Sequence, residues 1–279
     1  MKNFVKKYGV GIFVFIVLMI IGLFVDLPLT NALYHPQFMP SVLMECFGTL
    51  PLYLPFLLFF SLAASDNKIK SKLRIIATGF GLCASAAVVF VGVSGLIKRK
   101  YIPDMSVGYV AGAAVFIMCV TIMFLFRCKD NTKPKLYFLF GVGCVYSVLG
   151  TVIINILKLI WKRTRYDDML ALGNFDKFTS WLQPFGNGGT SFPSGHTAAA
   201  SIIFVLIVGC SLFAKWQGKE KLVWTLCGLF VAFMAINRLI IGRHFFSDTV
   251  AAAFVSLVVL EIIINSKTYK LLLKRVNAL

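Results

Sequence analysis

Ser191-Phe-Pro-Ser-Gly-His196-Thr-Ala-Ala-Ala-Ser201, continuing into the apolar run 202–212, lies in the longest stretch without Asp, Glu, Lys or Arg, 178–214. A membrane span needs about 20 apolar residues, so this stretch is too long for one helix. Pro184, Gly186, Gly188, Gly189 and Pro193 break its first half. The segment 178–193 therefore reads as a loop, with a helix starting near His196. Working outward, the charge-free stretches 8–25, 46–65, 75–97, 105–126 and 136–157 supply five more spans. Two further spans, about 222–241 and 248–265, each carry a single interrupting charge, Arg238 and Glu261. The reading is all-α: a polytopic transmembrane helix bundle of about eight spans, treated as one domain over 1–279. Alternating strand patterns of a membrane barrel are absent.

Composition agrees. The 279 residues are 59% hydrophobic and only 14% charged, with mean hydropathy +0.85. Soluble domains carry about 25% charged residues, so a soluble globule, a disordered chain and a coiled coil are excluded. Seven cysteines without a CxxC pair, six of them inside apolar runs, read as small buried hydrophobes rather than disulfides or zinc ligands. Lys2 to Lys7 before the first span resembles a signal-peptide n-region. The long apolar run without an Ala-x-Ala site points instead to a retained helix.

A net charge of +17 raises nucleic acid as a partner, and its distribution answers the question. With the N-terminus inside, the inner segments hold 18 of the 28 Lys and Arg residues and the outer segments ten. The charge is topogenic, with both termini expected in the cytoplasm, and no nucleic-acid partner is expected. Seven of the ten outer cations fall in 158–177 and 238–243, against the topogenic bias. Lys98, Arg99 and Lys100 form another outer cluster, read as contact with surface lipid.

Three segments carry the unusual chemistry: Lys158-Leu-Ile-Trp-Lys-Arg-Thr-Arg165, Ser191 to Thr197, and Asn237-Arg238 through His244 to Asp248. Counting spans puts all three at one outer face, within 136–265. Lys158, Arg165 and Arg238 offer cations at one depth, and arginine forks match phosphate oxygens. Pro193, Ser194 and Gly195 suit a helix start whose free N–H groups favour an anion. His196 and His244 supply imidazoles suited to proton transfer near neutrality. Asp248, four residues after His244, stands on the same face if helical, positioned to hold Nδ1–H and leave Nε2 bare. Taken singly, each piece has a plainer reading. His-x3-Asp also makes helix-surface pairs, cations snorkel at helix ends, and Asp248 also suits an N-cap.

These motifs resemble the type-2 phosphatidic acid phosphatase superfamily, whose pattern is Lys-x6-Arg-Pro, Pro-Ser-Gly-His and Ser-Arg-x5-His-x3-Asp. Lys158 and Arg165 match the first motif, Pro193 to His196 the second, and Arg238, His244 and Asp248 the third. The likeness is strong over about 155–250. Tyr166 replaces the proline and Asn237 the serine; the proline shapes a turn and the serine donates a hydrogen bond, which Asn237 can still do. The resemblance implies a six-helix core, with the first four helices a pair plus an N-terminal elaboration. It implies that His244 attacks phosphorus, oriented by Asp248, while His196 protonates the leaving oxygen and later activates water. Lys158, Arg165, Ser194, Gly195 and Arg238 would bind the phosphoryl oxygens. No cofactor is expected, and no metal, since fixed cations take its place; Asp167 and Asp168 are the rival magnesium site.

The expected activity is hydrolysis of a lipid phosphate or diphosphate, such as phosphatidic acid, phosphatidylglycerophosphate or undecaprenyl diphosphate, at the outer face of a bacterial plasma membrane. The partners are that substrate and membrane lipids; no oligomeric state is assigned. The alternatives are a phosphotransferase between lipids and a non-catalytic anion or lipid transporter. Trp161, Trp181, Leu182, Phe185 and Phe192 are expected to line the lipid entrance. Glu45 and Glu261 read as interfacially solvated span ends, and His35 as a surface residue.

Overall fold

The structure is a computed structural model that describes residues 2–98, 100–102, 107–186 and 188–278. Arg99 and the side chains of 2–7 and of Lys98 fall outside the described residues. The helices are α1 (Lys2–Leu33), α2 (Met39–Phe47), α3 (Leu50–Ser65), α4 (Ser71–Lys98), α5 (Val107–Phe126), α6 (Lys133–Trp161), α7 (Tyr166–Ala171), α8 (Gly195–Ser201), α9 (Leu206–Leu212), α10 (Glu220–Ile240), α11 (Phe246–Asn265) and α12 (Lys267–Asn277). No strand occurs among the described residues. Among the described residues, eight helical segments are long and apolar enough to cross a membrane, the number the sequence predicts.

The departures have local causes. α1 runs past residue 25, through Asp26 and Pro28 to Leu33. Asp26 does not end the helix because its carboxylate is ion-paired inside the protein. The second span is two helices, α3 restarting with proline in its first turn, where a missing N–H costs nothing. The sixth span, α8 and α9, is interrupted by a 3₁₀ turn, Ile202–Val205. There Tyr146 donates its hydroxyl to the Ser201 carbonyl, 3.2 Å away. α12 was not legible as a span because it is short and basic; Ser266 caps it by accepting from the Tyr269 N–H.

The chain forms two compact units. The first comprises Met1–Glu45, Gly150–Ala198 and Phe230–Val258, and so contains all three motifs. In it, α1 lies against α11: a Cβ on Gly22 would stand 2.9 Å from the Ser247 Cβ, and Phe15 stacks on Phe254 with centroids 3.8 Å apart. Small residues let helix backbones approach in this way within a membrane. Ala198 and Ala252, both buried, pack on Ile154, so the small-residue run after His196 serves close packing.

The second unit comprises Cys46–Leu149, Ala199–Leu229 and Val259–Leu279. Within it α3, α4 and α5 pack on one another around Leu57, Ala63, Ala64, Ala77 and Met118. Asp66, at the end of α3, meets Lys133 at 3.7 Å and accepts from the Tyr137 hydroxyl. All seven cysteines are free thiols. Only Cys46, Cys210 and Cys227 are buried; Cys83 and Cys119 are exposed on apolar helices, which corrects the expectation that most fill the core. An apolar run predicts burial in lipid or in protein alike.

Candidate functional site

α6 ends at Trp161 and carries Lys158 in its last turn. Arg165 follows in extended conformation as the residue before α7. Gly195 and His196 open α8, and Ser194 just before them accepts from the Thr197 N–H at 3.3 Å and the Thr197 hydroxyl at 3.0 Å. The Ser194 N–H in turn donates to the Asp248 carbonyl. Arg238 stands in the last turn of α10, and His244 lies in the short connection to α11.

Gly242 makes that connection possible. Its φ of +70° is in the left-handed region, and a Cβ there would stand 2.7 Å from the Tyr34 ring. Tyr166 opens α7, where proline also fits, and is 4% exposed. It packs on Tyr34 and Phe175, with centroids 5.1 Å and 5.3 Å away. Aromatic packing thus holds this turn.

His244 is almost fully buried. Its Nδ1 lies 2.7 Å from the Ser191 carbonyl oxygen, and 3.6 Å from Asp248 Oδ2. A carbonyl only accepts, so Nδ1 carries the proton and Nε2 keeps its lone pair. The sequence reading gave the Nδ1–H to Asp248; Ser191 holds it instead, and the carboxylate flanks the ring. Burial pushes the imidazole down to about 3, with Arg238 and Lys158 adding to the effect against the opposing pull of Asp248. The ring is therefore neutral at physiological pH.

Asp248 Oδ2 accepts from the Ser191 hydroxyl at 2.5 Å and from the Phe245 N–H at 2.9 Å. In the second contact Asp248, the third residue of α11, reaches back to the N–H of the residue before the helix, so it closes the first turn without being the N-cap itself. Its Oδ1 receives Arg163 Nη1 at 2.7 Å.

The structure brings the predicted residues together. His196, in the first turn of α8, is half-buried. Lys158 donates to the Thr190 carbonyl, and its Cε lies 3.6 Å from where a Gly195 Cβ would be. Arg165 and Arg238 each keep a buried Nε with no hydrogen-bond partner among the described residues.

Several residues in the site were missed. Arg163 is fully buried among Asp26, Ser247 and Asp248; in the sequence it counts as one cation of a basic run. Glu45 is not merely solvated: it lies 3.4 Å from Arg238 Nη1 and 3.6 Å from Arg243 Nε. Arg243 also pairs with Asp167 at 2.7 Å. No group of three His, Cys, Asp or Glu side chains suited to a metal occurs among the described residues. Asn237, expected to donate as the family serine does, donates to the Phe233 carbonyl of its own helix and accepts from Ser41. Of the aromatic loop, Trp161 and Phe192 pack together and Trp181 packs with them against Met19. Leu182 and Phe185 alone are exposed, at 58% and 77%.

Fold and site together define a multi-pass helical membrane protein with basic side chains and two imidazoles in one compact unit. Residues 135–271, close to half of the chain, match the model of the PAP2 superfamily. This matched segment is that of the superfamily, the type-2 phosphatidic acid phosphatases, and it supports a phosphatase acting on phosphate esters. No curated protein and no solved structure matches it.

Proposed function

We propose that the protein hydrolyses a lipid phosphate or diphosphate by way of a phosphohistidine, at the extracytoplasmic face of the cell membrane. One observation carries this reading: within one compact unit the Ser194 N–H donates to the Asp248 carbonyl at 2.9 Å and Lys158 Cε lies 3.6 Å from where a Gly195 Cβ would be, so that the three motifs meet at the start of α8. A site that only binds anions needs the cations but not two imidazoles.

Nε2 of the neutral His244 attacks phosphorus, forming a P–N bond as the P–O bond to the leaving group breaks. His196 gives its proton to the leaving oxygen. Water then attacks the phosphohistidine, His196 takes a water proton, and the P–N bond breaks to release phosphate. The Nε groups of Arg165 and Arg238, unpartnered among the described residues, are with Lys158 and the start of α8 at Ser194 and Gly195 the donors for the equatorial oxygens, whose charge grows in the transition state.

The test is phosphate release by purified protein in detergent from phosphatidic acid, phosphatidylglycerophosphate and undecaprenyl diphosphate, with vanadate as inhibitor. His196→Ala is expected to cost at least about 10²–10⁴-fold, and His244→Ala to abolish turnover. Near wild-type turnover in His244→Ala contradicts the mechanism. Label passing to a second lipid rather than to free phosphate reassigns the enzyme as a phosphotransferase, and uptake of intact ester into proteoliposomes without hydrolysis makes it a transporter.

A further inference from the structure

We propose that Asp26, on the first membrane helix and outside the matched segment, is a positioning residue for the His244 centre, acting through Arg163. This rests on His244 being the nucleophile. The path is short and every link is buried. Asp26 Oδ2 receives Arg163 Nη2 at 2.9 Å, and Arg163 Nη1 reaches Asp248 Oδ1 at 2.7 Å. Ser247 closes the ring: it accepts from Arg163 Nη1 at 2.9 Å, and its hydroxyl and backbone N–H donate to Asp26 at 2.5 Å and 2.8 Å. Three donors converge on the Asp26 carboxyl, and each hydrogen bond favours its charged form.

The remaining groups fix the guanidinium. Arg163 Nε donates to the Thr179 carbonyl at 2.7 Å, and its Cζ stands 4.3 Å from the Phe245 ring centroid and 5.3 Å from that of Phe178. Charged side chains inside a membrane span are rare enough that each calls for a function.

The charge count gives that function. Arg163 alone with Asp248 makes a neutral pair, leaving nothing to stabilise the positive ring that forms when His244 takes a phosphoryl group. With Asp26 the triad carries one net negative charge beside Nδ1. Asp26 also takes up one side of the guanidinium, so that Asp248 keeps Oδ2 for Ser191 and for the flank of His244. α1 is by this account part of the catalytic unit rather than a separate anchor.

The experiment measures kcat and KM for phosphate release from phosphatidic acid in detergent, for wild type, Asp26→Asn, Asp26→Glu, Ser247→Ala, Phe15→Ala and His244→Ala. Asp26→Asn is expected to lower kcat by about 10- to 100-fold, the scale of losing a residue that orients a catalytic group, with KM within about twofold. Asp26→Glu restores part of the loss. Ser247→Ala lowers kcat less, and adding it to Asp26→Asn lowers kcat no further, because linked residues are not additive. Phe15→Ala, which removes another contact between α1 and α11, keeps wild-type kcat.

Wild-type kcat in Asp26→Asn, or an equal fall in Phe15→Ala, overturns the proposal. Should Asp26→Asn not fold, wild-type kcat in Ser247→Ala overturns it instead. Turnover surviving in His244→Ala brings down the phosphatase mechanism and this proposal together. A dead His244→Ala beside a fully active Asp26→Asn removes the proposal alone.

Discussion

His244 is held by atoms that pull its chemistry one way. The Ser191 carbonyl fixes the proton on Nδ1 and burial keeps the ring uncharged. The acid limb of kcat/KM, which reports the free enzyme's base, is therefore expected below about pH 5 after correction for substrate ionisation, rather than near the ordinary imidazole value of about 6.5. A limb at pH 6–7 from His244 contradicts this. The same shift links to stability. Between about 6.5 and 3 the unfolded chain binds a proton that the folded chain refuses, so stability falls as pH drops through that window, by about 1 kcal/mol per pH unit. Melting in detergent at stepped pH is expected to show this slope in wild type and to lose it in His244→Ala. Arg163→Ala strands two buried carboxylates and is expected to cost roughly 3–5 kcal/mol in a denaturation assay. The motif residues were legible because their types and spacing are unusual. Arg163 and Asp26 were not: one looks like any basic flank, the other like a span terminus, and only tertiary pairing distinguishes them.

At the scale of elements, substitutions at motif positions are compensated by packing. Tyr166→Ala is expected to cost about 3 kcal/mol, the cost of emptying a large aromatic site, where Tyr34, Phe175 and Phe245 now close on the ring; unchanged melting contradicts this account of the turn. The loop before α8 divides between structure and access. Trp161 donates to the Trp181 carbonyl and Trp181 to the Met19 carbonyl of α1, so both indoles are anchors. Phe185, exposed and at a φ of +61°, is with the exposed Leu182 a side chain left to meet the acyl chain of the proposed substrate. Phe185→Ser is expected to raise KM for a long-chain lipid phosphate in vesicles and leave a short-chain soluble ester unaffected. Equal KM changes for both substrates contradict a lipid-contacting role. Aromatic content marked this loop from the sequence, but composition alone does not say which rings turn inward.

For the whole molecule, span count and helix class were legible because apolar run length measures a membrane directly. The break after α2, the 3₁₀ turn in the sixth span and α12 were not, since each depends on local capping and hydrogen bonds. Positive charge on the inner segments predicts the loop 173–190 outside and 213–219 inside. In a cysteine-free background, Asn174→Cys is expected to react with an impermeant maleimide in intact cells and Lys219→Cys only after lysis; the reverse pattern inverts the topology. The central claim is chemical, and rapid quenching tests it most directly. Purified protein is mixed with phosphatidic acid labelled in the phosphate and quenched in base, which preserves phosphohistidine. Wild type is expected to carry label on His244, His196→Ala to lose its label more slowly in a chase because its hydrolysis step is slowed, and His244→Ala to carry none. Label persisting on the His244→Ala protein, or turnover with no protein-bound label in either wild type or His196→Ala, would contradict the account.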